Sequence, residues 1–338
     1  MPSWVRRVSD LLSKDTPREA PKDSRLRQAP ATPDTPTAAP RGWRDLDAAL
    51  FDWLLDTPPG PEHVATEPEA LWLAEIDPMI VADKGKGELL PRAAGVIPPL
   101  LNSLRDEGQS ASELAGRVER DPNLVAEVIR LANSIAFRGT QPVSELADAV
   151  RRVGTTGVRQ AIAKVVLKPM FTAQAGALST RAAARLWEHG QAQADLCRAL
   201  APARGVDPFE AYLGGLLYDI GWTAGLRALD RVFEQYAPPA DLGFSDTFKA
   251  GFQQRRERLF AQFVAGWRLS LPLHAAARAV QAAEGFAGAA DPLAQVLLDG
   301  NRLAAARVLQ SHHLLADDPR ERLAAEAPQV AAVYDTLA

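Results

Sequence analysis

Two residues could do chemistry from an apolar setting: His189, in Leu186-Trp187-Glu188-His189, and Asp219, in Gly215-Leu216-Leu217-Tyr218-Asp219-Ile220-Gly221. An imidazole and a carboxylate are two of the three or more N/O ligands that a hydrolytic divalent centre needs. The same two residue types also make a structural pair, because a buried carboxylate needs a partner or must change its protonation state. The remaining histidines carry less. His63 lies in a Pro/Glu-rich loop, His274 stands alone, and His312-His313 end a helix, where a cation suits the dipole. The single cysteine, Cys197, excludes an internal disulfide and a cysteine-based zinc site. In its apolar helical stretch it reads as a small core residue.

The elements that must position these residues are helices. Residues 1–14 place Trp4, Val5, Val8, Leu11 and Leu12 on one face, with Arg6, Arg7 and Lys14 largely elsewhere. This short amphipathic helix or tail could touch a partner or a membrane surface, although so short a helix is marginal alone. Residues 15–42 are rich in Pro and Ala, with almost no large apolar side chains, and read as a disordered linker. Residues 43–90 form a helical extension. Its first helix carries Trp43, Leu46, Leu50, Trp53 and Leu54, and a short one runs through 68–73. Lys84-Gly85-Lys86-Gly87 is a soft joint and not a phosphate loop, since the strand and the full glycine spacing are missing.

From 91 to 312 one helix follows another. Ser110 and Glu113 have capping-box spacing, and Asp121-Pro122, Asp207-Pro208 and Asp291-Pro292 each combine an N-cap with proline at the first helical position. Ser144 starts a helix closed by Gly154, Thr180 to Leu200 is a long helix, and the helix after Pro208 stops at Gly221. Phe248, Phe252, Leu259 and Phe263 outline another, Pro272 opens the next, and residues 313–338 form a C-terminal helix. No alternating run bounded by hairpin turns interrupts the series, so the fold class is all-α.

Composition narrows the function. The chain has 338 residues, 47% hydrophobic and 24% charged, which is globular. A formal net charge of -4 provides no bulk attraction to nucleic acid or to an anionic membrane. Two local basic runs, Arg151-Arg152 with Arg159 and Lys164, and Gln253-Gln254-Arg255-Arg256 with Arg258, read as solvated helix faces. No apolar run approaches the roughly 20 residues that span a bilayer, and no signal peptide is evident, so the expected location is cytoplasmic.

Several segments together resemble an HDOD domain. They are Ile97-Pro98-Pro99-Leu100, Asp121-Pro122-Asn123-Leu124, Arg130-Leu131-Ala132-Asn133-Ser134, Ala149-Val150-Arg151-Arg152-Val153-Gly154, Trp187-Glu188-His189-Gly190 and the Gly215–Gly221 segment. The resemblance covers roughly Val96 to Gln310. HDOD domains are similar in fold to the HD and HD-GYP phosphohydrolases, and the resemblance implies a catalytically inactive, regulatory module. Carried over by position, His189 matches the first metal-ligand histidine and Asp219 the aspartate of the His-Asp pair, but Tyr218 stands where its histidine belongs. The His-His pair falls near Ala282-Ala283, and the late aspartate falls on Asn301.

Two ligands then remain. A phenol with a pKa near 10 ligates a divalent metal poorly, and an asparagine brings no charge. The expectation is therefore no catalytic residue, no metal and no cofactor. The function expected is non-enzymatic bacterial signal transduction through protein–protein binding to an unidentified signalling protein, in two-component or cyclic-dinucleotide regulation by family analogy. One alternative is a residual metal-dependent phosphohydrolase acting on a cyclic dinucleotide or nucleotide. Another is a module that binds a small ligand or nucleic acid in the old cleft.

Overall fold

A computed structural model of the chain describes residues 43–58, 66–81, 121–134, 141–172, 176–236 and 243–315, with residues 89, 90, 116, 118, 119 and 137. The readings at 1–42, His63, 84–87, 97–100, 110–113 and 316–338 lie outside the described residues. Within them all regular structure is helical: α1 (Trp43–Leu55), α2 (Glu67–Val81), α3 (Pro122–Ala132), α4 (Leu146–Thr172), α5 (Ala177–Leu200), a 3-10 turn (Ala201–Arg204), α6 (Pro208–Tyr218), α7 (Ile220–Gln235), α8 (Asp246–Trp267), α9 (Leu271–Ala282) and α10 (Pro292–Ser311). None of these helices is long and apolar enough to cross a membrane.

The Asp-Pro pairs start helices for the reason given by their chemistry. Asp121, Asp207 and Asp291 each accept from backbone N–H groups of the turn they open, and the following proline gives up an N–H that would be unpaired. α5 is capped differently. Its N-cap is Gly176, which has no side chain to offer, and Asp230 of α7 reaches across to take its place. The Leu178 and Ser179 N–H groups donate to the two carboxylate oxygens of Asp230 at 2.8 and 3.0 Å. Asp230→Ala is expected to cost about 1–2 kcal/mol, as loss of a cap does, and chemical denaturation measures it.

The core is built around α6, whose residues from Phe209 to Tyr218 are all buried. α5, α9 and α10 pack about it. α5 and α6 approach so closely that a Cβ at Gly215 would stand 2.7 Å from the Cα of Ala194. That close approach brings His189 of α5 level with the end of α6. α1 lies across α5, α8 and α10, while α2 rests on α7 and α8.

Two readings change. The segment after Gly221 is a helix, α7, and Gly221 lies inside it: the glycine is there for close packing, not for termination. A Cβ at this position would lie 2.1 Å from the carbonyl oxygen of Arg256 on α8. The periodicity was present in Trp222, Leu226, Leu229 and Phe233. α2 extends well past residue 73, carrying Pro78 internally, and Glu69 closes both ends of its attachment: it accepts from Thr66 N–H and from the Ser245 N–H and hydroxyl. The helix read as closing at Gly154 does close there: its φ of 66° and ψ of -174° break the helical path, and a second helix follows within the span to Thr172.

The basic run at residues 253–256 is also corrected, whereas Arg151 of the other run is solvated as read. Arg256 is 2% exposed, and Arg255 donates to the Leu73 and Gly251 carbonyls and pairs with Asp77 at 2.6 Å. This run fastens α8 to the N-terminal helices. In the other run Arg151 pairs with Asp148, Arg152 donates to the Gln141 carbonyl, and Lys164 lies 3.3 Å from Glu127.

Candidate functional site

The site begins where α6 hands over to α7. Asp219 ends the first helix and precedes the second, and its side chain makes no cap bond to either. It turns to α5 instead, where its Oδ2 lies 2.8 Å from Nδ1 of His189. Both side chains are fully buried. With the imidazole donating from Nδ1–H, its Nε2 is left as an acceptor. Neither that atom nor Asp219 Oδ1 has a hydrogen-bond partner among the described residues. His189 and Asp219 therefore meet as the sequence reading expects.

The other candidate positions belong to an adjoining cluster. Tyr218 is buried against Phe286 and Phe260, with ring centroids 4.7 and 5.8 Å away. Burial pushes its phenol well above the ordinary value, so it stays protonated despite the nearby Arg256. The Arg256 guanidinium sits 5.3 Å from the Tyr218 ring centroid and 4.8 Å from that of Trp222. Two aromatic faces there replace part of the lost hydration of the cation. Burial opposes its charge, but Tyr218, Glu257 and Asp47 more than compensate, and the guanidinium is held protonated.

Asn301, on α10, is 1% exposed and aims Nδ2 at Asp47 Oδ1, 3.5 Å away. Asp47 also receives Gln253 Nε2 at 3.0 Å and faces Arg256 Nη2 at 3.9 Å. Asp299, two residues from Asn301, pairs with Arg204. Ala282 ends α9 and is exposed, and Ala283 is half-buried; neither brings a polar side chain.

The remaining histidines sit apart. His274 Nδ1 contacts the Ala265 carbonyl at 3.3 Å, and His312 lies 3.0 Å from Glu188 and against Trp53. Cys197 is buried; burial, with Asp299 and Asp219, pushes its thiol far above the ordinary value. It is inert core, as the sequence reading has it.

Asp47 and Trp222 are missing from the sequence-derived set, and Arg256 and Gln253 enter it only as part of a basic run read as solvated. The signal for two of them was periodicity. Asp47 falls on the apolar stripe of α1 between Trp43 and Leu50, and Arg256 falls four residues from both Phe252 and Phe260 on the buried stripe of α8. A charge on an apolar stripe must be paired inside the fold.

The candidate positions supply two conventional ligands, fewer than the three or more that a divalent hydrolytic centre uses. His189 and Asp219 pair through Nδ1 and Oδ2, which leaves one ligating atom on each, while Tyr218 is a protonated phenol and Asn301 is directed to Asp47. A fixed guanidinium stands beside Tyr218. No three His, Cys, Asp or Glu side chains are grouped as a metal site requires, among the described residues.

The second carboxylate of α1 that faces α8 is Asp52. It lies 2.6 Å from Lys249, yet burial outweighs the ammonium and raises its carboxyl from 3.8 to about 6. Between those values the folded protein holds the extra proton, so stability falls as pH rises through about 6. Burial raises Asp47 as well. The difference in thermal midpoint between the unaltered protein and Asp52→Asn is expected to shift across pH 4–7, toward the variant as pH rises. A pH-independent difference contradicts the burial argument.

Comparison with known proteins follows the same lines. The HDOD domain family matches residues 90–283, more than half of the chain. A solved structure named "Putative metal-dependent phosphohydrolase", from Shewanella amazonensis SB2B, is 13% identical. The alignment covers 80% of this chain and 98% of that one, with a TM-score of 0.52. An HDOD domain protein of unknown function from Geobacter sulfurreducens is 16% identical over 86% of this chain and 88% of its own, with a TM-score of 0.46. The MmoQ response regulator from Methylococcus capsulatus str. Bath is 23% identical over 70% and 93%, at 0.31. No curated protein matches. The helical fold, the pairing of the His189 and Asp219 positions and the family match agree: this chain belongs to the HDOD domain family.

Proposed function

We propose that this HDOD protein is a non-enzymatic bacterial signalling module that acts by binding a protein partner. The observation that carries the reading is the buried Arg256 guanidinium, held between Tyr218 and Trp222, the residues one before and three after Asp219 in the chain, while His189 and Asp219 are the two conventional ligands among the described candidate positions. A divalent cation beside it would meet a fixed positive charge in a low-dielectric setting, with too few ligands to offset the repulsion. A fold that has placed a cation and an aromatic pair in this position keeps its architecture while giving up water activation. The phosphohydrolase name of the Shewanella amazonensis structure transfers the fold alone at 13% identity. The action on a partner, and a cytoplasmic place for it, follow from the family resemblance.

The experiment is affinity purification from native cells with the immobilised full chain, run beside a chain that begins at residue 43. A protein retained by the full chain in stoichiometric amount, and competed away by free HDOD protein, supports the reading. Retention by neither chain overturns it.

A further inference from the structure

We propose that the buried polar cluster of Arg256, Gln253 and Asn301 is a binding site for an anionic oxygen group, carboxylate or phosphate, with Asp47 of α1 as its ligand in cis. α1 is outside the span matched by the HDOD family, which starts at residue 90, yet it crosses the three helices that carry His189, Arg256 and Asn301. Among the described side chains of α1, Asp47 enters the polar cluster there, and the side chains that meet its carboxylate are donors. Gln253 Nε2 stands at 3.0 Å, Asn301 Nδ2 at 3.5 Å and Arg256 Nη2 at 3.9 Å, with the charge of Arg302 acting on it as well. Such a set suits a group with several anionic oxygens.

Asp47 fills it incompletely. Only the bond from Gln253 is short, and 3.9 Å is beyond hydrogen-bond reach for Arg256. Nε and Nη2 of Arg256 and Nε1 of Trp222 are buried without partners among the described residues. Arg256 is 2% exposed, and unpaired guanidinium N–H groups at that depth are costly. A tetrahedral phosphate, or a carboxylate free of the helix backbone, has the reach that Asp47 lacks. Glu257 already balances part of the Arg256 charge while accepting from the Phe286 N–H at 3.0 Å and Gln253 at 3.2 Å. The incoming anion therefore replaces Asp47 rather than joining it.

Access fits this exchange. Asp47 keeps 19% of its side chain exposed, so it lies between the buried guanidinium and solvent. α1 need not detach. Arg185 holds the Trp53 carbonyl at 2.7 Å, Lys249 holds Asp52 at 2.6 Å, and Phe51 packs on Trp222 and Phe252. With α1 held in this way, rotation of the Asp47 side chain is the movement the exchange requires, which restricts the ligand to a small molecule or a single modified side chain.

Calorimetric titration of the full chain with inorganic phosphate, and separately with succinate, tests the assignment. Asp47→Asn is expected to bind one of the two anions at least about tenfold more tightly than the unaltered protein, because the competing group no longer holds the site. Adding Asn301→Ala to Asp47→Asn is expected to reverse that gain, and Arg256→Lys, which keeps the charge but not the fork, to weaken it. A gain for phosphate assigns a phosphorylated ligand, and a gain for succinate a carboxylate. Equal affinity in the unaltered protein and Asp47→Asn, no binding by either, or a gain indifferent to Asn301→Ala overturns the proposal.

Discussion

Asp219→Ala is expected to destabilise the protein by about 3 kcal/mol, the scale set by removing one member of a buried polar pair. His189 is completely buried, its Nδ1 has Asp219 as its partner, and Nε2 has none among the described residues. Deleting the carboxylate leaves the ring wholly unsatisfied and opens a gap between α5 and the α6–α7 junction. Asp219→Asn is the informative companion. Its amide oxygen still accepts from Nδ1–H, so the expected loss is about 1 kcal/mol, that of one weakened hydrogen bond. Urea denaturation of the two variants separates the cases. A stability unchanged in Asp219→Ala would mean that the pair contributes nothing to the fold.

Gly221→Ala is expected to cost a similar amount, about 3 kcal/mol, at the upper end for overpacking. Helix propensity alone argues the other way, since alanine gains about 1 kcal/mol over glycine in a helix interior. The contact decides the sign. The added methyl would stand 2.1 Å from the Arg256 carbonyl oxygen, a backbone atom of α8 that no rotamer change can move. Relief requires α7 and α8 to separate, and that shifts Arg256 off the Trp222 ring. Gly266→Ala on the exposed end of α8, where a Cβ meets nothing within 4 Å, is the control. It is expected to be neutral or slightly stabilising. Thermal midpoints that fall together in both variants would contradict the contact argument.

The two expectations show why the sequence was legible in some places and not in others. Asp121, Asp207 and Asp291 announce helix starts because the signal is local: a carboxylate and a proline act on the very next N–H groups. His189 and Asp219 were legible as partners because two polar groups on apolar faces must find each other. Gly221 misled for a physical reason. A glycine that stops a helix and a glycine that admits a neighbouring backbone look alike until the neighbour is in place. The cap of α5 was beyond reach of any local reading, since Asp230 lies 52 residues from Leu178.

Arg256 and Asp47 mark the same boundary within the site. Arg256 belongs to a basic run that reads as solvated, yet the residue four places before it and the one four places after it are both buried phenylalanines. Asp47 sits in a helix whose register is clear, but nothing in residues 43–55 says that this helix covers α5, α8 and α10. The match to HDOD relatives does not supply it either, because α1 precedes the matched span. What the sequence conveyed was an expected shortage of conventional ligands. What the fold adds is the Arg256 cation against Tyr218 and the Asp47 carboxylate against Asn301.

The proposal that this site does not run metal-dependent hydrolysis is tested most directly by one paired measurement on the purified full chain. Metal content is determined after equilibration with manganese and removal of free ion, and cyclic-dinucleotide turnover is followed on the same sample. The account expects no retained metal and no turnover, in the unaltered protein and in Asp219→Asn alike. Stoichiometric metal with turnover that Asp219→Asn abolishes, while the variant stays folded, would contradict it.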